Sequence, residues 1–130
     1  MKREIKFRAY SSHNHKMYPV SNIEWDIDGR IWVTADDGKN GIELIDEEAH
    51  LMQYAGLEDK NGREIYEGDV LDIGLRNQDG KPIIAPVSYE TYAAGYVLDN
   101  GGNGIWQRLT KECEVIGNTF ENPELLEGKQ

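Results

Sequence analysis

The stretch Ile23-Glu24-Trp25-Asp26-Ile27-Asp28-Gly29-Arg30-Ile31-Trp32-Val33-Thr34-Ala35 decides the fold. On both sides of Asp28-Gly29 apolar and polar residues alternate, the period of a strand that lays one face on a core and the other in water. A two-residue Asp28-Gly29 loop would set Ile27 opposite Arg30 and turn the two apolar sets to opposite faces. A three-residue loop, Asp28-Gly29-Arg30, aligns Ile23, Trp25 and Ile27 with Ala35, Val33 and Ile31 on one inward face. That hairpin is the expected one, and it leaves Trp32 on the polar face beside Glu24 and Asp26 as a large exposed indole.

The same alternation extends in both directions. Upstream, Ile5-Lys6-Phe7-Arg8-Ala9-Tyr10 reads as a first strand with apolar and basic faces, and Met17-Tyr18-Pro19-Val20 as a short edge-like piece, because Pro19 cannot donate to a central ladder. Downstream, Ile42-Glu43-Leu44-Ile45 and His50-Leu51-Met52-Gln53-Tyr54 read as strands, and Asp59-Lys60-Asn61-Gly62 as a tight turn with Gly supplying positive φ. Val70-Leu71-Asp72-Ile73, a strand pair over residues 83–99 and Glu114-Val115-Ile116-Gly117 follow. Asn100-Gly101-Gly102-Asn103-Gly104 reads as a loop. The one helix start is Asn122-Pro123-Glu124-Leu125-Leu126, with Asn122 as N-cap and Pro123 at the first helical position. The expectation is an all-β chain with a short C-terminal helical turn and no internal repeat of 20–50 residues.

A chain of 130 residues, 38% hydrophobic and 29% charged, with three Trp, seven Tyr and two Phe, has the means to build a packed core. Its single cysteine, Cys113, cannot form an internal bridge, and it sits between Glu112 and Glu114, which disfavour a thiolate. With no leader-like opening and no apolar run near the ~18–20 residues a membrane span needs, the expected compartment is the cytoplasm, with no membrane partner. The net charge is −10, unevenly spread: residues 1–16 carry +4 and residues 24–72 carry −11. Such a surface repels phosphate backbones, so nucleic acid is the disfavoured partner, with Lys2, Arg3, Lys6 and Arg8 as its only basic patch.

The chain offers little that could carry chemistry. Asp36-Asp37-Gly38-Lys39-Asn40-Gly41 with Glu47 imitates a calcium loop, but position three is Gly38 and the flanks read as strands. His13 and His15 lie two apart, with His50 as a third imidazole, yet no spacing fixes a tetrahedral set. Gly101-Gly102-Asn103-Gly104 lacks the Lys-Ser or Lys-Thr of a phosphate cradle, and nothing brings Ser88 or Cys113 to a histidine base. No catalytic, cofactor-binding or metal-ligating residue is assigned, and the chain is expected not to be an enzyme.

Three segments resemble the YopX-like proteins: Ile5-Lys6-Phe7-Arg8-Ala9-Tyr10 with Lys16-Met17-Tyr18; Leu51-Met52-Gln53-Tyr54-Ala55-Gly56-Leu57 through Asp59-Lys60-Asn61-Gly62-Arg63-Glu64-Ile65-Tyr66-Glu67-Gly68-Asp69-Val70; and Glu114-Val115-Ile116-Gly117-Asn118-Thr119-Phe120-Glu121-Asn122-Pro123-Glu124-Leu125-Leu126. The resemblance implies a small phage or prophage protein with an N-terminal β subdomain over residues 1–56 and a C-terminal SH3-like small barrel over residues 57–130. It implies no activity and no cofactor. Tyr66-Glu67-Gly68-Asp69-Val70 reads as architecture: an inward aromatic, Gly for the bend, Asp to bond turn amides, then a strand.

The resulting expectation is a non-catalytic phage accessory protein that binds a host or phage protein or its own copies, with a homo-oligomer as the expected state. The candidate interaction surface is Trp32, Glu24, Asp26, Tyr89 and Tyr92. The alternative is a nucleic-acid-binding small β-barrel in which Tyr89, Tyr92 and Tyr96 stack bases.

Overall fold

A computed structural model describes residues 4–36, 41–45, 48–90, 95–98, 107–108 and 112–126. The chain is all-β, and its Cα packing divides it into two compact units, Met1–Gln53 and Tyr54–Gln130. Strands β1 (Phe7–Ser11), β2 (Lys16–Trp25), β3 (Ile31–Asp36) and β4 (Gly41–Ile45) belong to the first unit. So does the first half of β5 (Ala49–Glu58). The rest of β5 belongs to the second unit, with β6 (Glu64–Tyr66), β7 (Asp69–Arg76), β8 (Pro82–Glu90), β9 (Gly95–Leu98), β10 (Gln107–Arg108) and β11 (Glu114–Asn118).

In the first unit the antiparallel order is β4-β3-β2-β1-β5. Alternation buries Ala9, Tyr18, Val33, Ala35, Leu44 and Ala49 on one face, with Val20, Ile31, Ile42 and Leu51 packed against them. The expected first strand begins later than its alternation suggests: Phe7 opens it, and Ile5 is 64% exposed. Nor is the Pro19 segment an edge. It is the start of a ten-residue central strand that pairs with β1 through Arg8 and Pro19. The imino acid is tolerated because the ladder to β3 begins one residue later, at Val20, and then bulges at Ser21, whose hydroxyl donates to the Thr34 carbonyl at 3.2 Å.

The hairpin between β2 and β3 keeps the expected apolar face but not the expected register. Trp25 pairs with Ile31 and Ile23 with Val33, so the three-residue loop is Ile27-Asp28-Gly29, one position earlier than foreseen. The reason lies in the turn. The Asp26 amide bonds the Arg30 carbonyl at 3.0 Å, Gly29 returns its amide to the Asp26 carbonyl at 3.1 Å, and φ at Gly29 is 86°. Glycine belongs at the third loop position of this turn, where the backbone is left-handed, and that requirement moves the loop. Ile27 is thereby 100% exposed and Trp25 70% exposed, whereas the expectation had both facing the core.

Among the described residues the turn occurs three times. Asp26-Ile27-Asp28-Gly29-Arg30, Asp59-Lys60-Asn61-Gly62-Arg63 and Asn77-Gln78-Asp79-Gly80-Lys81 share the pattern of Asp or Asn, any residue, Asp or Asn, Gly, then Arg or Lys. In each, the first side chain accepts the amides of the third and fifth residues through its Oδ1, at 2.9–3.0 Å, and the glycine has positive φ.

In the second unit the order is β10-β9-β8-β7-β11, and β6 pairs with the end of β5 through Tyr54 and Tyr66. Ile65, Leu71, Ala85, Val87, Leu98 and Cys113 form its core. Pro123–Leu126 forms a single 3-10 turn, where the Leu125 amide bonds the Asn122 carbonyl. The Asn122 side chain is not its N-cap as expected. Its Oδ1 accepts the Asn118 amide at 3.2 Å, so it ties the turn back to β11.

Candidate interaction surface

The β2–β3 hairpin collects three of the five expected surface residues. Glu24 and Trp32 are cross-strand neighbours, and Trp32 has Ile45 on its other side. The indole does not stand free: it is half-buried, and its Nε1 donates to Asp26 Oδ2 at 3.1 Å. Asp26 thus receives Asp28 and Arg30 amides on one oxygen and an indole on the other. The Trp32 bond is the main cause, partly opposed by desolvation and aided by the two amides and the Arg30 charge, that holds its carboxyl below the ordinary 3.8. Trp32 and Asp26 are therefore the brace of the tip, and the exposed apolar groups are Trp25 and Ile27. Sequence reading missed these two because alternation assigned them inward. The repeated turn pattern is the signal that would have placed Ile27 in the loop.

Tyr89 lies in the second unit, opposite Tyr96 across β8 and β9, with ring centroids 5.4 Å apart in an edge-to-face pair. Its ring follows Val87 on the core-facing side of β8 and is 49% exposed. Tyr92 lies outside the described residues, as do the Asp37 to Asn40 part of the calcium-like loop and the Gly101 to Gly104 loop. Of the basic patch, Lys6 pairs with Glu4 at 3.4 Å and the Arg8 guanidinium lies 3.6 Å from the Met52 sulfur. His15 and His50 flank Tyr10, at ring-centroid distances of 6.5 and 6.3 Å. Among the described residues no three His, Cys, Asp or Glu are placed to share a metal ion, and no helix is long and apolar enough to cross a membrane.

The buried polar residues of the second unit sit elsewhere. Asp59, 5% exposed, accepts the Asn61 and Arg63 amides on Oδ1 and the Val115 amide on Oδ2, each at 2.9 Å. Burial alone would raise its pKa, but the Val115, Arg63 and Asn61 amides and the Arg63 charge outweigh it and hold the carboxyl below 3.8. The Arg63 guanidinium donates to the Val115 carbonyl at 2.9 Å and the Lys60 amide to the Cys113 carbonyl at 3.0 Å, so this turn is clamped at three points to β11 and the residue before it. Asp69, 1% exposed, accepts the Tyr66 amide at 2.8 Å. Gly68 takes the Thr119 amide on its carbonyl, and Asn118 pairs with Asp69 across the ladder.

Residues 6–127 match the YopX protein family. The chain belongs to the YopX family. A solved relative in structure is the crystal structure of protein EF1440 from Enterococcus faecalis, 24% identical, with a TM-score of 0.65 over 97% of this chain and 100% of that one. It establishes a shared fold. No curated protein matches the chain. Read on this structure, the central and C-terminal YopX-like segments meet: Asp59, Arg63, Tyr66, Gly68 and Asp69 bond one another's turns and the strand and turn over residues 113–122. Their physical work is to hold β6, β7 and β11 together, whereas the hairpin tip at Trp25 and Ile27 lies outside all three segments.

Proposed function

We propose that this YopX protein is a non-catalytic interaction module that binds another protein, or further copies of itself, through the β2–β3 hairpin. The observation that carries this reading is the pairing of Trp25 and Ile27, 70% and 100% exposed, on a turn whose geometry is fixed by Asp26. Large apolar groups in water are a standing cost that a binding surface recovers on contact. The resemblance supports a phage or prophage accessory role in the bacterial cytoplasm, with the second unit as a small SH3-like barrel serving as scaffold. The concentration of the family segments in buried turn contacts favours architecture over catalysis for them.

The test is affinity capture from bacterial cells with the wild-type chain and with a Trp25→Ala, Ile27→Ala double variant, alongside sedimentation of both. The reading predicts a captured protein, or an oligomer, that the double variant loses. A monomer whose captured proteins are the same with and without the two side chains would refute it. Binding to nucleic acid through Tyr89 and Tyr96 is the competing reading. Gel shifts at low salt that retard single-stranded DNA or RNA with wild type but not with Tyr89→Ala would favour it.

A further inference from the structure

Resting on that reading of the hairpin, we infer the chemistry of its partner: a polypeptide segment that sets apolar side chains among lysines or arginines, against which Trp25 and Ile27 pack. Three observations converge on this. The tip presents two large exposed apolar side chains, Trp25 at the end of β2 and Ile27 on the three-residue loop, so its complement is apolar. Carboxylates stand on the other sides of the tip: Glu24 and Asp26 project from the face of β2 opposite Trp25, beside Trp32, and exposed Asp28 follows Ile27 in the loop, with Arg30 as the one cation of the turn. Asp26 is held ionised by its indole and amide donors, so the negative charge there is permanent at neutral pH.

Those charges select among occupants. A phosphate backbone or an acidic surface meets like charge at the tip and is repelled. Two tips of this same chain meeting face to face set Glu24, Asp26 and Asp28 against their own copies, a self-complementary contact with the wrong sign. A cationic segment is attracted instead, which speeds encounter, while the indole and the isoleucine supply the apolar contact. The tip is also preorganised: Gly29 is already left-handed, and the Asp26 and Trp32 bonds fix the loop, so little ordering cost attends docking.

Fluorescence anisotropy with three labelled synthetic peptides of equal length tests the inference. One alternates Lys with Leu, one Glu with Leu, and one Lys with Gly. The Lys–Leu peptide is expected to bind, with affinity falling at least ~10-fold in Trp25→Ala and in Ile27→Ala, and falling again as NaCl rises from about 0.05 to about 0.5 M. Ile27→Leu should retain binding. The Lys–Gly peptide should bind weakly and equally to wild type and Trp25→Ala. Unfolding midpoints of the variants, at exposed positions, should match wild type and so separate lost contact from lost fold. Tip-dependent binding of the Glu–Leu peptide as strong as that of the Lys–Leu peptide would overturn the cationic partner while leaving the interaction surface standing. Binding of the Lys–Leu peptide that ignores both substitutions, or no binding at all, would overturn the cationic partner, while the hairpin as an interaction surface is decided separately by the capture and sedimentation of the double variant.

Discussion

Replacing Asp59 with Asn tests whether the buried carboxylate clamps its turn to β11. The amide keeps Oδ1 in place for the Asn61 and Arg63 amides, but it sets an NH2 group where Oδ2 accepts the Val115 amide at 2.9 Å. The substitution therefore loses one charge-assisted hydrogen bond, about 1.5–3 kcal/mol, and leaves a buried donor facing donors, about 1–3 kcal/mol more. Partial relaxation toward water brings the expected loss to about 3 kcal/mol at pH 7. Urea unfolding followed by circular dichroism measures it as a lower midpoint at constant slope. The pH dependence adds a second requirement. The folded carboxyl titrates below its ordinary 3.8, so its stabilisation is complete above that value and is lost as pH falls through the lower folded pKa. Asn does not titrate, so the gap between the two proteins should hold from neutral pH down to about 5 and close below about 4. A gap under about 0.5 kcal/mol at pH 7, or one that persists unchanged in acid, would refute the clamp.

Gly117→Ala should destabilise by about 1–3 kcal/mol, because an added Cβ would stand 2.7 Å from Asn122 Oδ1 and 2.8 Å from Leu125 Cδ1; an unchanged urea midpoint would contradict the packing of the 3-10 turn on β11. Gly62→Ala meets no atom within 4 Å, so only its φ of 82° should count, about 1 kcal/mol by the same assay. Leu71→Ala, at a fully buried core position, should cost about 2–5 kcal/mol. Trp32→Phe removes the leading cause of the low Asp26 pKa, so an NMR titration should move that carboxyl upward toward 3.8, and an unmoved titration would show that the indole bond does not form in solution.

The strands were legible because alternation is a local property: Phe7 and Ala9, Ile31 and Val33, and Val87 all face inward as their spacing requires. The C-terminal turn was legible at Pro123 for the same reason, since proline fixes its own φ. What escaped depends on partners distant in sequence. Pro19 looked like an edge residue because nothing local shows that β3 begins its ladder only at Val20. Asn122 looked like a cap because its tie to Asn118 requires the chain to fold back over Gly117. Asp59 read as a turn residue, and its second role on Val115, 56 residues away, has no local signal. At the candidate surface, Glu24, Asp26 and Trp32 were found by their shared face. Their role was misjudged by one loop position, which buried Trp25 and Ile27 in expectation and freed Trp32, the reverse of the arrangement found.

Amide hydrogen exchange of the intact chain with and without the Lys–Leu peptide tests the central claim most directly, because it reports both units in one experiment. The account predicts that protection rises over the hairpin, residues 24–32, and stays unchanged over residues 59–69 and 113–122, where the family segments already bond one another. Protection gained at those buried turns, or over β8 and β9 around Tyr89, with the hairpin unaffected, would contradict it.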